Sequence, residues 1–323
     1  MAKVLVTGGG GFIGSNLVPA LVHAGYQVRV LDDWSTGSPD NLSGLEGSIE
    51  IIEGDIRDEA TLVRATSETE LVFHLAARPS VARSIAEPLT SHSVNATGTL
   101  AVLEAARAAG VRRVVYASSS SIYGDTPVLP KDEEMPVNPL SPYAASKLAG
   151  ESYCRAFTRS FGLETVSLRF FNVFGPRQDP ESQYAAVIPR FITRLLSDDP
   201  PEIFGDGTQS RDFTFISNVV DACILAGSSG TESTGETFNV GCHGRITLLD
   251  VAEMLNELLD KDLRPVFGPR REGDVMHSQA DITKAEVLLG YQPNTNFRDG
   301  LARTVEWFGR QTLNELIVGK GAA

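Results

Sequence analysis

Two side chains that could move a proton stand close together in the middle of the chain. Tyr143 and Lys147 are separated only by Ala-Ala-Ser, and the apolar spacing around them predicts a helix over residues 142–162. Side chains at i and i+4 share one helix face, so the Lys147 ammonium would stand beside the Tyr143 phenol. A phenol has an ordinary pKa of about 10, and a nearby cation favours its ionised form. The pair therefore predicts a base that works near neutral pH.

A run of serines could supply the partner of this base. Ser118, Ser119, Ser120 and Ser121 follow an apolar stretch, residues 111–117, that predicts a strand. A hydroxyl beyond the end of that strand could bridge a substrate oxygen and Tyr143. We assign this shuttle role to Ser119, with a neighbouring serine as the alternative.

Glycines between a predicted strand, residues 4–6, and a predicted helix, residues 12–24, could hold a phosphate group. Gly8, Gly11 and Gly14 have the spacing G-x-x-G-x-x-G. A tight turn of this kind lets backbone N–H groups approach a pyrophosphate at the start of a helix. The position of the turn, directly after the first strand, predicts a dinucleotide-binding loop.

Carboxylates at the ends of the next strands indicate which dinucleotide is bound. Asp32 and Asp33 follow the second strand, where an acid accepts hydrogen bonds from ribose hydroxyls and repels a 2′-phosphate. No Arg or Lys lies between Asp33 and Arg57, so NAD is preferred to NADP. Asp55 follows the third strand, where it could meet the adenine amino group. His74 ends the fourth strand and is interpreted as a packed strand histidine rather than a catalyst.

These residues require a scaffold that brings strand ends together. Apolar runs at 4–6, 28–31, 49–52, 71–75, 111–117 and 165–170 alternate with helical patterns at 12–24, 88–110 and 142–162. That alternation predicts an α/β fold, a Rossmann-like doubly wound parallel sheet with a smaller C-terminal α/β substrate lobe. We assign residues 1–170 to an NAD-binding domain, with a return around 212–242, and 171–211 and 243–318 to the substrate lobe.

Composition excludes several classes of protein. The 323 residues carry a formal charge of −13, which argues against a nucleic-acid-binding surface. The sequence has no long apolar run for a membrane span and no signal peptide, which predicts a soluble, cytoplasmic protein. Three scattered cysteines and five scattered histidines form no metal-ligand spacing, so no metal is expected.

Together these motifs resemble those of the extended short-chain dehydrogenases/reductases, and among them the NAD-dependent UDP-sugar 4-epimerases. The similarity runs over residues 3–310. The matching segments are 7–14, 31–37, 54–56, 74–77, Asn95, 118–124, Tyr143 with Lys147, 169–175, 184–189, 210–213 and 271–274.

The resemblance implies a set of ligand contacts. Those to NAD are Gly8, Gly11, Phe12, Ile13, Asp32, Asp33, Ser35, Thr36, Gly37, Asp55, Ile56, Leu75, Ala76, Ala77, Asn95, Tyr143, Lys147, Phe170 and Val173. Those to a UDP-sugar are Ser80, Ser119, Ser120, Ser121, Tyr143, Asn172, Ala186, Val187, Phe204, Arg211, Arg271, Asp274 and Ser278. Arg211 and Arg271 would grip the diphosphate, since guanidinium groups give forked bonds to phosphate oxygens. Arg177 is either a further contact or a loop charge.

The two residues after the shuttle serine narrow the reaction. Similar dehydratases carry an Asp-Glu pair there, and similar decarboxylases carry a Glu, whereas this chain has Ser120 and Ser121. Serine is neither acid nor base at neutral pH, so the resemblance implies 4-epimerisation through a transient 4-keto sugar. The alternatives are UDP-glucuronate 4-epimerisation, dehydration or decarboxylation, and a non-catalytic NAD-binding regulator.

The sequence gives less direct information about which sugar is bound and about the oligomeric state. Ser278 lies where similar epimerases place a bulky or a small residue, and its small size leaves room for an N-acetyl group. UDP-Glc/UDP-Gal and UDP-GlcNAc/UDP-GalNAc are therefore both expected, with UDP-glucuronate third. The resemblance also implies a homodimer through the helices around residues 90–109 and 142–161.

Overall fold

The structure is a computed structural model that describes residues 2–180, 186–270 and 275–320. Its strands are β1 (Lys3–Thr7), β2 (Gln27–Asp32), β3 (Ile49–Glu53), β4 (Leu71–His74), β5 (Arg113–Ser119), β6 (Glu164–Phe170), β7 (Val173–Phe174), β8 (Glu202–Phe204), β9 (Ser210–Arg211), β10 (Thr214–Phe215), β11 (Glu236–Val240), β12 (Ile246–Thr247) and β13 (Val266–Gly268). Its α-helices are α1 (Phe12–His23), α2 (Glu59–Thr66), α3 (Val81–Ala86), α4 (Pro88–His92), α5 (Gly98–Ala108), α6 (Pro142–Phe161), α7 (Val187–Leu196), α8 (Ile216–Ser228), α9 (Leu248–Leu259), α10 (Thr283–Leu289) and α11 (Phe297–Lys320).

Seven of these strands form a parallel sheet in the order β11-β6-β5-β4-β1-β2-β3. The order reverses between β1 and β4, and ligands of open α/β sheets bind beyond the strand ends at such a point. The predicted glycine turn follows β1. Of the predicted serines, Ser118 and Ser119 end β5 and Ser120 and Ser121 follow it, so the topology places the glycines and the serines at the carboxyl ends of the strands.

Both faces of the central strands are buried, which is why β1, β4 and β5 contain nearly continuous apolar runs. Val4 and Val6 belong to one core, which continues into α7 and α9 of the C-terminal half. Leu5, between them, belongs to a second core with residues of α2, α5 and α6. The predicted doubly wound α/β fold is confirmed.

The helix of the Tyr-x-x-x-Lys motif has clear sequence signals at both ends. Ser141 precedes α6, and its hydroxyl accepts a hydrogen bond from the Ala144 N–H at 3.1 Å. Pro142 occupies the first helical position, where its missing N–H costs nothing. Gly162 ends the helix with a φ of +73°, as left-handed C-caps require. The helix therefore begins at Pro142 as predicted.

The helix predicted over residues 88–110 is interrupted. Its α-helical parts, α4 and α5, are joined by a π-helical segment, Ser93–Thr97, that contains Asn95. The sequence patterns did not predict the last sheet strand, β11, the short strands β7–β10, β12 and β13, or the helices α2, α3, α7 and α8. In the described part of the chain, no helix is long and apolar enough to cross a membrane.

Candidate active site

The turn after β1 brings bare backbone to the strand edge. Gly8 has a φ of +71°, and a Cβ atom there would lie 2.7 Å from the Ala76 nitrogen. A Cβ atom at Gly14 would lie 2.2 Å from the Gly8 oxygen, so α1 packs directly on the turn. Gly11 precedes α1 without a side-chain cap, and the first N–H groups of a helix lack intrahelical partners. These donors and the absence of side chains fit the pyrophosphate of a dinucleotide.

Asp32 is built into this turn. The side chain is 7% exposed, and its carboxylate accepts hydrogen bonds from the N–H groups of Gly10 at 2.8 Å and Trp34 at 2.9 Å. Burial raises the pKa of Asp32, and the two hydrogen bonds oppose that rise. Each carboxylate oxygen keeps a lone pair for a ribose hydroxyl. Asp33 is exposed and accepts from Ser35 instead.

Arg57 forms an ion pair with the carboxylate of Asp55. The Arg57 Nε donates to both oxygens of Asp55, at 2.9 and 3.0 Å, and Nη2 donates as well. This pairing lowers the pKa of Asp55. The sequence shows Arg57 only as the first basic residue after Asp33. The structure pairs it with Asp55, the predicted contact of the adenine amino group. Because Asp55 neutralises it, Arg57 does not make the site suited to a 2′-phosphate.

His74 forms a hydrogen-bonded chain whose direction can be assigned. Thr99 Oγ1 donates to the Asn95 carbonyl at 2.6 Å, so it accepts from His74 Nε2 at 2.9 Å. The other ring nitrogen, Nδ1, must then accept from Thr7 Oγ1, 2.7 Å away. Burial, and then the charge of Lys147, lowers the pKa of His74 to about 3. The ring is neutral and fully occupied, in agreement with its interpretation as a packed strand histidine.

Asn95 connects the π-helical segment to α6. Its side chain is 1% exposed, and its Oδ1 accepts from the Arg78 N–H at 2.7 Å. Its Nδ2 donates to the Arg78 carbonyl and to Ser146 Oγ, and Ser146 Oγ donates to the Tyr143 carbonyl. The amide is thus occupied by protein groups, and the predicted contact of Asn95 with NAD stays a prediction.

The structure brings Ser119, Tyr143 and Lys147 together at the end of β5. Burial raises the pKa of Tyr143, and a hydrogen bond with Ser119 opposes that rise. Lys147 is 4% exposed and donates from Nζ to the Ala117 carbonyl at 2.8 Å. Burial lowers the pKa of Lys147 to about 8. The protein's own groups therefore keep the phenol protonated, and the predicted ionisation of Tyr143 beside Lys147 stays a prediction for the site with NAD bound.

The four serines do not share one orientation. Ser119 Oγ accepts from the N–H and the hydroxyl of Ser121, at 3.2 and 2.9 Å. Ser120 and Ser121 begin a 3₁₀ turn, Ser120–Tyr123, and both are half-buried. Ser118 is 3% exposed and donates to Glu151, on the opposite side of the strand end. Ser118 is therefore directed away from Tyr143, whereas Ser119 and Ser121 are hydrogen-bonded to each other.

Two predicted substrate contacts have backbone conformations that are unusual for their residue types. Ser80 has a φ of +94° and Asn172 a φ of +31°. Left-handed conformations of this kind cost about 1–3 kcal/mol and concentrate at functional sites. Ser80 also caps α3, since its hydroxyl accepts from the Arg83 N–H at 3.3 Å. Their strain is consistent with a ligand-binding role for both positions.

Arg211 and Ser278 are joined through β9. The Arg211 guanidinium donates from Nη1 to the carbonyls of Ser210 and Met276, at 3.0 and 3.1 Å. The Ser278 N–H donates to the Ser210 carbonyl at 3.0 Å, and its side chain is 6% exposed. Phe204 ends β8 with the Arg190 guanidinium 5.4 Å from its ring centroid.

The other predicted residues fall on neighbouring segments or outside the described residues. Phe12 and Ile13 begin α1, Thr36 and Gly37 follow β2, Ile56 follows β3, Leu75 and Ala77 follow β4, Phe170 ends β6, Val173 lies in β7, Ala186 precedes α7 and Val187 begins it. Arg271 and Asp274 lie outside the described residues. Arg177 donates to the Ser15 carbonyl in α1 at 2.9 Å, so it fastens its loop to that helix.

Comparisons with known proteins identify the family of this chain. A profile of the NAD dependent epimerase/dehydratase family matches residues 4–241. The chain is 42% identical over 310 residues to the UDP-glucose 4-epimerase of Mycolicibacterium smegmatis, covering 95% of this chain and 98% of that one.

Two solved structures are similar over nearly the whole chain. The UDP-N-acetylglucosamine 4-epimerase from Methanobrevibacter ruminantium, in complex with UDP-N-acetylmuramic acid, is 39% identical with a TM-score of 0.92. The UDP-glucose 4-epimerase of Thermotoga maritima, with UDP-glucose, is 39% identical with a TM-score of 0.91. Each covers 96% of this chain and 99% of its own. The chain belongs to the NAD dependent epimerase/dehydratase family, and the predicted family and NAD cofactor are confirmed.

Proposed function

We propose that this protein is an isomerase that interconverts UDP-hexoses by 4-epimerisation through a transient 4-keto sugar. The observation that carries the proposal is the convergence of Ser119, Tyr143 and Lys147 at the carboxyl end of β5, on the same side of the sheet as the glycine turn after β1. The 4-epimerases similar to this chain over most of its length support the same reaction.

The chain's own residues account for the proton transfer. Tyr143 Oη, as phenolate, takes the proton from the sugar O4 and later returns it. Ser119 Oγ orients that hydroxyl, and the Lys147 ammonium stabilises the phenolate from one helical turn away. NAD, when bound, supplies the hydride acceptor and donor for the sugar C4, together with the positive charge of its nicotinamide ring.

The choice between epimerisation and elimination depends on the residues at positions 120 and 121, and the return of hydride to the other face depends on how the diphosphate is held. Ser120 and Ser121 offer neither acid nor base at neutral pH, so no group beside the shuttle assists elimination at C5. Arg211, anchored on two carbonyls, would hold the diphosphate while the keto sugar turns its other face to the nicotinamide. Arg271 and Asp274 are proposed to complete the nucleotide contacts.

The sugar pocket is proposed to accept UDP-Glc/UDP-Gal and UDP-GlcNAc/UDP-GalNAc. Ser278 is small, and a pocket that fits an N-acetyl group rarely rejects a sugar merely for lacking it. The two similar structures carry different UDP-sugars, which supports a pocket whose size varies within the family. UDP-glucuronate ranks third.

The division of the chain is part of the proposal. Residues 1–170 and 212–242 would bind NAD, and 171–211 with 243–318 would bind the nucleotide sugar. The return is supported by β11, which pairs with β6 in the main sheet. A cytoplasmic location is supported by three thiols without disulfides.

A homodimer through the α4–α5 and α6 helices is also proposed. These helices expose Leu89 (84%) and Phe161 (56%), which a partner could cover. Sedimentation should give twice the chain mass for the wild type and the monomer mass for Leu89→Glu. A monomeric wild type would contradict the assembly and leave the reaction standing.

The reaction is tested by proton NMR of the protein incubated separately with UDP-Glc, UDP-GlcNAc and UDP-GlcA. We expect a new H4 signal of the 4-epimer, without accumulation of reduced nicotinamide, for at least one of the first two sugars. A stable 4-keto product or loss of the C5 or C6 signal would instead identify a dehydratase or decarboxylase. No change in any sugar with NAD supplied would favour the non-catalytic regulator.

A further inference from the structure

A buried ion pair lies on the far side of the strand end that carries the catalytic serine. Glu151 in α6 and Arg169 in β6 are 6% and 4% exposed. Arg169 Nε donates to Glu151 Oε1 at 3.0 Å and Nη2 donates to Oε2 at 2.9 Å, a forked geometry that fixes both groups. Neither residue has a role in the reaction as proposed above.

The ion pair holds β5 on one side of Ser119. The hydroxyl of Ser118 donates to Glu151 Oε1 at 2.5 Å. Ser118 stands between Ala117, whose carbonyl accepts from Lys147 Nζ, and Ser119, which faces Tyr143. The hydrogen bond from Ser118 to Glu151 therefore fixes the residue between Ala117, which holds Lys147, and Ser119, which faces Tyr143.

The same ion pair holds the chain on the other side of Ser119. Arg169 Nη1 donates to the Tyr123 hydroxyl at 2.7 Å, and Tyr123 Oη donates to Asn239 Oδ1 at 2.7 Å. Tyr123 closes the 3₁₀ turn that begins at Ser120 and is fully buried. Ser119 is thus the residue between two anchored points, Ser118 on Glu151 and the turn on Arg169.

We propose that Glu151, fixed by Arg169, is a positioning residue for the reaction that sets the places of the Ser119 hydroxyl and the Lys147 ammonium. The inference rests on the proposed epimerisation and deepens it. A buried ion pair with no such task is often replaced by apolar residues without loss. Here both members hold the strand and turn that carry the shuttle hydroxyl, so replacement changes the site as well as the core.

The charge of Glu151 has a second effect, on Lys147. The titratable groups that face Lys147 come from three elements: His74 on β4, Tyr116 on β5, and Glu151 and Cys154 on α6, where Tyr143 lies one turn away. Arg169 on β6 is paired with Glu151. Burial lowers the pKa of Lys147, and negative charge at Cys154 and Glu151 opposes the decrease. Since burial raises the pKa of Cys154 to about 12, its thiol is neutral near pH 7 and Glu151 is the anion that favours the ammonium.

The experiment compares Ser118→Ala, Glu151→Gln and a matched control, Ser167→Ala. Ser167 is also a buried strand serine, 2% exposed, and it hydrogen-bonds Cys154 of the same helix instead of Glu151. We measure kcat and KM for the UDP-sugar that the wild type turns over, and the dependence of kcat on pH. A misplacement of the shuttle by a fraction of an ångström should lower kcat about tenfold in Ser118→Ala, with KM unchanged.

Glu151→Gln separates position from charge. The amide keeps the shape of the carboxylate but removes the anion, so kcat should fall and its alkaline limb should move to lower pH. Ser118→Ala should lower kcat without moving that limb, and Ser167→Ala should match the wild type. Unchanged kcat in both Ser118→Ala and Glu151→Gln, or an equal loss in Ser167→Ala, overturns the proposal.

A structural measurement keeps this outcome separate from failure of the proposed function. If the wild type epimerised no UDP-sugar, the proposed reaction would be wrong, and kinetics would have nothing to compare. Crystal structures of the wild type and Ser118→Ala then decide the positioning role by the place of the Ser119 hydroxyl relative to Tyr143. A displaced hydroxyl supports the inference, and an identical strand end in both structures contradicts it.

Discussion

At the scale of single residues, the phenol of Tyr143 carries the proposed chemistry. Its burial favours the neutral form, and the opposing hydrogen bond comes from Ser119, on a different element. We therefore expect Tyr143 to act as a base only when the positive charges of Lys147 and of the nicotinamide ring stand close to the phenol.

Tyr143→Phe should lower kcat by about 10²–10⁴-fold, because the general base is removed while the binding surfaces stay. Bound nicotinamide, measured after denaturation, and the affinity for UDP, measured by calorimetry, should match the wild type. Tyr153→Phe is the matched control, since Tyr153 lies in the same helix and is 36% exposed. Activity retained in Tyr143→Phe would remove Tyr143 from the mechanism.

The pKa of Lys147, about 8, predicts the upper limit of the pH range. Since burial lowers this pKa from its ordinary 10.5, the ammonium is present below pH 8 and is lost above it, so kcat should decline above about pH 8. Lys147→Arg keeps its charge at high pH and should show a lower kcat without this alkaline limb. An unchanged alkaline limb in that variant would assign the decline to another group.

At the scale of elements, close approach of backbone atoms shapes the glycine turn after β1, where NAD is proposed to bind. Gly14→Ala should lose bound NAD and stability, because the added Cβ atom would lie 2.2 Å from the Gly8 oxygen. Gly309→Ala is the control: Gly309 is also helical, and a Cβ atom there meets nothing within 4 Å. That variant should be neutral or more stable by about 1 kcal/mol. Nicotinamide content and the free energy of unfolding check both.

The His74 chain, which connects β1, β4 and α5, predicts the behaviour of the fold in acid. The pKa of His74 is lowered from 6.5 to about 3, so below pH 6.5 the unfolded chain binds a proton that the folded chain refuses. The free energy of unfolding should then fall by about 1.4 kcal/mol per pH unit from this group alone. Urea titrations between pH 6.5 and 4 should give a shallower decline for His74→Gln. Equal slopes would contradict the assignment.

Six of the seven strands of the main sheet and the chemical motifs could be predicted, because both depend on residues that are close together in the sequence. Residues 4–6, for example, place apolar side chains on both faces of the sheet. The spacing of Tyr143 and Lys147 places both side chains on one face of a helix. In contrast, β11 (Glu-Thr-Phe-Asn-Val) is short and has three polar residues, so it lacks an apolar run, and it is identified as a sheet strand by its pairing with β6. The opposite orientation of Ser118 and the role of Glu151 depend on how α6 packs on the strands, which spacing does not encode.

At the scale of the whole molecule, one buried carboxylate connects the main sheet with the C-terminal half. Asp212 Oδ1 accepts from the Cys242 N–H at 2.8 Å, just after β11, and Oδ2 accepts from the Ala280 N–H at 3.0 Å. Ser278 lies two residues before Ala280, so this carboxylate also holds the segment of the proposed sugar pocket. The side chain is fully buried.

Asp212→Asn should lower the free energy of unfolding by about 1–3 kcal/mol, because an amide has one acceptor oxygen and leaves one N–H unpaired. Asp206→Asn is the control, since Asp206 is exposed and accepts from the N–H and the hydroxyl of Thr208. Denaturant unfolding of both variants measures the difference. A loss no larger than that of Asp206→Asn would show that the two contacts are replaceable.

The π-helical segment between α4 and α5 has a consequence for length variation. A π turn accommodates one extra residue in an α-helix, because the wider turn absorbs the insertion and leaves α4 and α5 in place. Deleting one residue from Ser93–Thr97 would restore a regular α-helix and would turn the side chains within this segment to other directions. The helix itself would be improved, yet Asn95 could no longer reach both Arg78 and Ser146. Homologues of this chain should therefore tolerate substitutions in this segment far more readily than a gap.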